Sequence, residues 1–177
     1  GYGNNIYIDG VTIEAAPTSV VTWANLQWPP TATIQQGETA TVYAQAWIDG
    51  VTSVPGVTPG LDCWIGINNA DTDPSTWTTW VPATYNVDAG NNDEFMANIG
   101  ATLPVGTYYY AARWQYLGGP YRYGGYNSGF WNGTTNVSGV LTVNPFVANL
   151  PLVEGFEDAT FPPTGWNVIA VNGLPTW

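Results

Sequence analysis

The fold is decided by residues 101–117, which read ATLPVGTYYYAARWQYL. Leu103 and Gly106 precede Tyr108, and a run of three tyrosines opens a segment rich in residues that favour strands. Elsewhere in the chain, apolar and polar residues alternate with period two, and turns rich in Gly, Pro and Asn recur at a spacing of about ten residues. No long stretch has a helical period. The chain is therefore predicted to be all-β, with its strands packed as a sandwich.

Four further segments show which side chains should face the core of this sandwich. Three of them are ETATVYAQAWIDG, LDCWIGIN and EFMANIG, and the fourth, VSGVLTV near residue 140, is expected to be the closing strand. Alternate residues of a strand point to opposite faces, so every second apolar residue is assigned to the core. These residues are Ala40, Val42, Ala44, Ala46 and Ile48 in the first segment, Leu61, Cys63, Ile65 and Ile67 in the second, and Phe95, Ala97 and Ile99 in the third.

The spacing of Leu103, Gly106 and Tyr108 resembles the tyrosine corner that leads into strand F of immunoglobulin-like and fibronectin type III sandwiches. The resemblance implies that the Tyr108 hydroxyl ties a loop to the strand. Tyr110 stands where an immunoglobulin domain places its second cysteine, and Cys63 is the single cysteine, so packing alone must hold the sheets together. We expect an immunoglobulin-like β-sandwich of about seven or eight strands over residues 17–145.

Composition excludes several classes of function for this chain. Its 177 residues contain no histidine, no lysine, two arginines and 13 acidic residues, for a net charge of −11. Histidine-dependent nucleophiles, histidine-containing zinc sites and lysine-dependent chemistry are therefore excluded. The negative charge argues against binding to nucleic acid, because phosphates need cationic partners. No apolar run of about 18 residues is present, so no transmembrane segment is expected.

Both ends of the chain carry motifs of another kind. Glu154-Gly-Phe156-Glu157, followed by Phe161-Pro-Pro-x-Gly165-Trp166, resembles the opening of the cleaved-adhesin, or choice-of-anchor J, domains. These are MAM-like jelly rolls of secreted and surface proteins of Bacteroidota. NNIYIDGVTIE, at residues 4–14, is similar to the closing strand of the same family, with Gly10 replacing a polar residue. Residues 58–143 resemble an immunoglobulin-like module of multidomain proteins from the same bacteria.

This resemblance implies three segments. Residues 1–16 would close a preceding jelly-roll domain, residues 17–145 would form the sandwich, and residues 146–177 would supply a linker and the opening strands of a following jelly roll. It also implies an extracellular or outer-surface location, with export by the type IX system. The chain would then be one part of a longer series of tandem modules.

The candidate binding residues lie in QYLGGPYRYGGYNSGFWNGTT, residues 115–135, where aromatic side chains alternate with glycines. They could stack on sugar rings, anchor a protein interface, or form a hairpin that covers the end of the sandwich. These residues are Tyr116, Tyr121, Tyr123, Tyr126, Phe130 and Trp131. Trp77 and Trp80 are three residues apart, so on one strand they would face opposite sides and would not form a flat sugar platform.

Calcium is the candidate cofactor. Asp71 and Asp73 in DTDP, and Asp88 and Asp93 in DAGNNDE, place oxygen ligands in predicted loops, although the spacing does not match an EF-hand. The same residues are ordinary in turns. The resemblance to calcium-binding jelly rolls adds Glu157 and, more weakly, Asp9.

We expect a non-catalytic extracellular structural or adhesive module that stacks on neighbouring modules or other copies, as in a filament. The alternative is a carbohydrate-binding module that serves a secreted hydrolase, with polysaccharide as its partner. Catalysis within this chain is not expected, because no acidic residue stands in a recognisable catalytic context.

Overall fold

The computed structural model describes residues 19–146, in which the strands form two facing sheets, and the all-β prediction is confirmed. A single short 3-10 helix, Pro74–Thr76, interrupts the strands in this part of the chain. The strands are β1 (Trp23–Trp28), β2 (Thr31–Gln35), β3 (Ala40–Trp47), β4 (Leu61–Asn68), β5 (Thr79–Pro82), β6 (Thr84–Ala89), β7 (Asn92–Ile99), β8 (Gly106–Tyr116), β9 (Arg122–Gly125), β10 (Gly129–Phe130) and β11 (Gly139–Asn144). Between residues 19 and 146, no helix is long and apolar enough to cross a membrane.

The two sheets differ in size. The four-stranded sheet has the order β1-β3-β7-β6 and is antiparallel throughout. In the seven-stranded sheet, the long strand β8 pairs with β4 on one edge and with both β11 and β9 on the other. Strand β5 extends this sheet beyond β4, β10 pairs with β9, and β2 runs parallel to β11. Two such facing sheets make an immunoglobulin-like β-sandwich, as the sequence predicts. The expected number of strands, about seven or eight, was wrong, because residues 19–146 form eleven strands, of which several at the sheet edges are short.

The predicted core faces are confirmed. Every second residue of β3, β4 and β7 is buried or packs against the buried cluster, as the alternation requires. At the centre, the rings of Phe95 and Trp114 meet edge to face from opposite sheets, with their centroids 5.3 Å apart. Cys63 is also buried as expected, and burial raises the pKa of its thiol well above the usual value.

The tyrosine corner is present as well. The Tyr108 hydroxyl donates a hydrogen bond of 3.0 Å to the carbonyl oxygen of Pro104. Tyr110, at the position of the missing cysteine, is fully buried and donates to the carbonyl oxygen of Pro29 at 2.6 Å. This hydrogen bond joins β8 to the corner between β1 and β2.

One local prediction was wrong, and the condition of another was not met. The segment DAGNNDE is not a loop but a β-hairpin, because β6 continues to Ala89 and β7 begins at Asn92. Trp77 and Trp80 do not share a strand, because the 3-10 helix delays the start of β5 to Thr79. The two indole rings consequently pack together, with centroids 6.2 Å apart. The predicted jelly-roll edges, residues 1–16 and most of 146–177, lie outside the described residues.

Candidate functional site

The outer face of the seven-stranded sheet carries a row of large side chains. Cys63 and Ile65 of β4 face the core, so Trp64 between them faces outward. Strand register pairs Trp64 with Arg113 of β8, and Arg113 with Tyr123 of β9. The side chains of paired residues lie on the same face, so three strands deliver these three groups to one place.

Arg113 lies at the centre of this group. Its guanidinium carbon is 4.2 Å from the ring centroid of Trp80, 4.5 Å from that of Tyr121 and 4.8 Å from that of Trp64. All three distances are within the range of cation–π attraction. We call Trp64, Trp80, Arg113, Tyr121 and Tyr123 the arginine cluster.

The rings of the arginine cluster also contact one another. Trp64 and Tyr121 meet edge to face at 6.1 Å, and Trp80 and Tyr123 lie 5.9 Å apart. Tyr121 is 44% exposed, so the cluster opens to solvent on that side. The result is an aromatic surface with a cation fixed in its interior.

Within this acidic protein, the arginine cluster encloses a partly buried cation, Arg113. The Nε atom of Arg113 is buried and has no hydrogen-bond partner among residues 19–146. Burial raises the pKa of the Tyr123 phenol, and the nearby Asp73 and Tyr121 add to this effect while Arg113 opposes it. The guanidinium therefore has three ring contacts, while its Nε atom has no hydrogen bond within this part of the chain.

Trp80 is held in place from two sides. Beneath it, Gly66 of β4 has no side chain, and a Cβ there would lie 2.6 Å from the indole ring. Beside it, the buried Trp77 accepts a hydrogen bond from Trp80 Nε1 through its carbonyl oxygen. Trp77 is anchored in turn, since its Nε1 donates to the Thr72 hydroxyl at 3.0 Å. The contact with Gly66 and the hydrogen bond to Trp77 together hold the Trp80 ring in one orientation.

The six predicted aromatic residues do not form a single site. Tyr121 and Tyr123 belong to the arginine cluster, whereas Tyr116 is only 8% exposed and is part of the core. Tyr126 and Phe130 are half-buried and pack against the core. Trp131 is half-buried, and its Nε1 donates to the Ser138 hydroxyl at 3.1 Å. The hairpin aromatics therefore divide between an exposed surface and a structural cover.

Sequence reasoning missed Trp64 and Arg113, and it considered Trp80 only with Trp77, as a sugar platform that it rejected. One signal was available, because the alternation that buries Cys63 and Ile65 leaves Trp64 at an outward position. A large aromatic residue facing solvent on a central strand needs a partner or a ligand. The role of Arg113 depends on strand register and has no comparable local signal.

The predicted calcium ligands lie in two places. Asp88 and Asp93 are cross-strand partners in the β6–β7 hairpin. The Asp88 carboxylate accepts hydrogen bonds from the Tyr85 hydroxyl at 2.6 Å and the Gly56 N–H at 2.9 Å, and these bonds lower its pKa. Asp93 is fully buried, with Oδ2 accepting the Thr58 N–H at 2.8 Å and Oδ1 lacking a partner. Both carboxylates therefore fasten the loop between β3 and β4.

The other predicted ligands do not join that pair. Asp73 caps the 3-10 helix by accepting the Ser75 N–H at 2.9 Å, and Asp71 is exposed in the same loop. Within residues 19–146 there is no group of three or more His, Cys, Asp or Glu side chains that could hold a metal ion. Asp9 and Glu157 lie outside the described residues. Calcium binding stays a prediction.

Comparison with known proteins gives one informative match. No family model matches the chain. The chain is 31% identical to an amylopullulanase of Thermoanaerobacter thermohydrosulfuricus over an alignment of 134 residues. The alignment covers 61% of this chain and 9% of that protein, so it spans a small part of the relative's length.

Proposed function

We propose that the sandwich is a non-catalytic carbohydrate-binding module of a multidomain extracellular protein, and that the arginine cluster is its polysaccharide-binding surface. The observation that carries the proposal is the fixed guanidinium among partly exposed aromatic rings on one sheet face. A catalytic domain elsewhere in the protein would act on the bound polysaccharide.

The chemistry of the arginine cluster suits a sugar. Aromatic faces are large, rigid and apolar, and they pack well against the C–H face of a pyranose ring. A guanidinium offers several N–H donors in a planar fork, which matches neighbouring hydroxyl groups. Ligand sites generally combine apolar and aromatic walls with a few placed polar groups, and this surface has that composition.

The similarity to an amylopullulanase supports the same function. The name describes an enzyme that acts on polysaccharides, and the matched region is 9% of its length. A module shared with a small part of such an enzyme fits an accessory role. The acids at the predicted calcium positions Asp88 and Asp93 bind backbone N–H groups of the β3–β4 loop, which supports a structural rather than catalytic use of those carboxylates.

Affinity gel electrophoresis with pullulan, soluble starch and a set of other neutral polysaccharides tests this proposal. Trp80→Ala and Tyr121→Ala should each weaken the binding of the retained polysaccharide by about tenfold, because a lost stacking partner costs about 1.4 kcal/mol. Phe146→Ala is the matched control, since Phe146 is 70% exposed and lies outside the cluster. Unchanged retention of both variants would show that the arginine cluster is not the site.

A structural or adhesive role is the second candidate. Trp, Tyr and Arg are also the residues that dominate protein–protein interfaces, and Tyr121 is accessible for such a contact. In this case the protein would self-associate without any sugar. Sedimentation velocity over a range of concentrations would detect such assembly, and Tyr121→Ala would weaken it.

A further inference from the structure

We propose a second polysaccharide-binding surface on the outer face of the four-stranded sheet, opposite the arginine cluster, for a linear neutral glycan. Trp28, Tyr43 and Met96 form it, and we call these three residues the Trp28 ridge. The inference takes its ligand class from the proposed function, but it rests on different residues. With two such faces, the module would bind two glycan chains at once.

Strand register builds the Trp28 ridge. Trp28 of β1 pairs with Tyr43 of β3, and Tyr43 pairs with Met96 of β7. Val42, Ala44, Phe95 and Ala97, the neighbours of Tyr43 and Met96 along their strands, are buried. Tyr43 and Met96 therefore face outward, in a line that runs across the strands.

A β-bulge brings Trp28 into this line. The register shifts between Leu26 and Trp28, so that Leu26 pairs with Ala44 while Trp28 pairs with the adjacent Tyr43. Without the extra residue, Trp28 would fall opposite Val42, which faces the core. The bulge instead leaves Trp28 57% exposed. Bulges occur at sheet edges and next to active sites, where they re-aim a side chain, and β1 is an edge strand of its sheet.

Amide side chains flank the ridge on one side. Gln45 Nε2 donates to Glu94 at 2.8 Å, Asn86 Nδ2 donates to the other oxygen of Glu94 at 2.8 Å, and Asn92 Nδ2 donates to Gln45 at 3.2 Å. This network holds the amides in fixed orientations and occupies both oxygens of the one carboxylate in it. Ordered amides beside an aromatic row are suited to hydroxyl groups rather than to ions.

An open cleft continues from the ridge. It has a volume of about 530 Å³, and Tyr43, Met96, Thr41, Asn98, Thr84 and Pro82 contribute to its walls. Asn98, in the wall of the cleft, accepts the Thr41 hydroxyl at 2.7 Å through Oδ1, and its amide group also carries the donor Nδ2. The cleft and the ridge together provide apolar and polar contacts along one path across the sheet.

A linear neutral glycan fits this path better than other occupants. The three ridge residues come from three neighbouring strands about 4.8 Å apart, so a ligand that contacts all of them must extend across the sheet. The net charge of −11 disfavours a polyanion. Two opposed faces would allow the module to bridge chains and to gain about 10²–10⁴-fold in avidity on a dense polysaccharide surface.

The test uses the full 177-residue chain with pullulan and amylose, two linear neutral glucans, as probes. Trp28→Ala and Tyr43→Thr should each lower retention about tenfold in affinity electrophoresis, and Phe146→Ala should not. Urea unfolding of each variant identifies any general loss of fold, and Tyr43→Thr keeps a strand-favouring residue at an internal position. The wild type should also raise the viscosity of a pullulan solution by bridging its chains, and Trp28→Ala should abolish this effect.

The outcomes separate the two surfaces. If the polysaccharide retains Trp28→Ala and Tyr43→Thr as strongly as the wild type, while Tyr121→Ala is retained less, the second surface is wrong. The arginine cluster is then supported as the binding site. If only the Trp28 ridge variants lose retention and Tyr121→Ala does not, the ridge is supported as a binding surface and the arginine cluster is wrong as one. If no neutral polysaccharide is retained by the wild type, both surfaces are wrong as sugar sites. A Trp28-dependent dimer in sedimentation, without a change in retention, would also overturn the ridge proposal.

Discussion

Arg113 organises the outer face of the seven-stranded sheet. Its guanidinium lies within 5 Å of three ring centroids, and these rings come from β4, β5 and the turn before β9. A planar cation can stack on several aromatic faces at once, which an ammonium group cannot do equally well. The arrangement of the rings should therefore depend on this one side chain.

Replacement of Arg113 by alanine should lower the free energy of unfolding by about 1–2 kcal/mol, because the cation–π contacts are lost. Arg113→Lys should restore less than half of this loss, since the planar group is missing. Urea denaturation followed by tryptophan fluorescence measures both effects. The control is Arg122→Ala, because Arg122 is exposed and, within residues 19–146, has a cation–π contact with one ring, that of Phe130, at 5.6 Å. Equal effects of the two alanine variants would contradict an organising role.

Asp88 should make stability depend on pH at both ends of the scale. Hydrogen bonds from Tyr85 and Gly56 lower its pKa, so the ionised carboxylate stabilises the folded state above the unfolded pKa of about 3.9. This stabilisation is lost as the pH falls through the lower folded-state value. The same contact raises the pKa of Tyr85 to about 12, and that contribution is lost as the pH rises from about 10 towards 12.

Thermal unfolding of Asp88→Asn between acid and alkaline pH tests this expectation. The variant should show a weaker decline of Tm below about pH 4 than the wild type, since it has no carboxylate to protonate. Asp71→Asn is the control, because Asp71 is exposed. Identical pH profiles of Asp88→Asn and the wild type would exclude Asp88 as the source of the dependence.

At the scale of elements, two local irregularities position the outward aromatics. The 3-10 helix before β5 lets Trp77 and Trp80 pack together, and the bulge in β1 turns Trp28 to solvent. Gly66 in β4 adds a third feature, because its missing side chain makes room for the Trp80 ring. Regular strands would not place these indoles where they lie.

Gly66→Ala should displace Trp80, since the new Cβ would lie within 3 Å of three atoms of the indole. We expect a loss of pullulan retention similar to that of Trp80→Ala, and a fall in the free energy of unfolding of about 1–3 kcal/mol from overpacking. Thr79→Ala, at an exposed position on the same strand as Trp80, is the control. Retention equal to that of the wild type would mean that the position of Trp80 does not matter for binding.

At the scale of the whole molecule, the net negative charge should exclude charged polysaccharides, while the aromatic faces should bind neutral ones. With a net charge of −11, the protein should repel polyanions, whereas neutral glycans meet no such barrier. Binding that depends on stacking and on hydrogen bonds to hydroxyls should therefore be insensitive to salt.

Pullulan affinity should change by less than about twofold between 0.1 M and 1 M NaCl, although the Debye length falls from about 10 Å to about 3 Å over that range. Dextran sulfate, the charged control, should not be retained in low salt. Isothermal titration calorimetry with pullulan at several salt concentrations provides the measurement. A steep loss of affinity with salt would indicate an electrostatic site and contradict recognition through ring faces.

The core could be predicted residue by residue because its signal is local. In β3, β4 and β7 the period of two shows which residues are buried, and the order of Leu103, Gly106 and Tyr108 predicts a hydrogen bond that the structure contains. The β6–β7 hairpin was missed for a local reason too, because Asp and Asn favour turns while Asp93 is buried in a strand through its contact with Thr58.

The sequence by itself determined the fold class, the core faces and the classes of chemistry that an acidic chain without histidine or lysine can perform. Only the tertiary structure decided which outward side chains meet, because Trp64 and Trp80 come from one part of the chain, in β4 and β5, and Arg113 and Tyr123 come from another, in β8 and β9. Burial leaves a periodic pattern within each strand, whereas a surface cluster depends on the register between strands. Register is set by the packing of the whole sandwich, and for that reason both candidate binding faces emerge only after the sheets have formed.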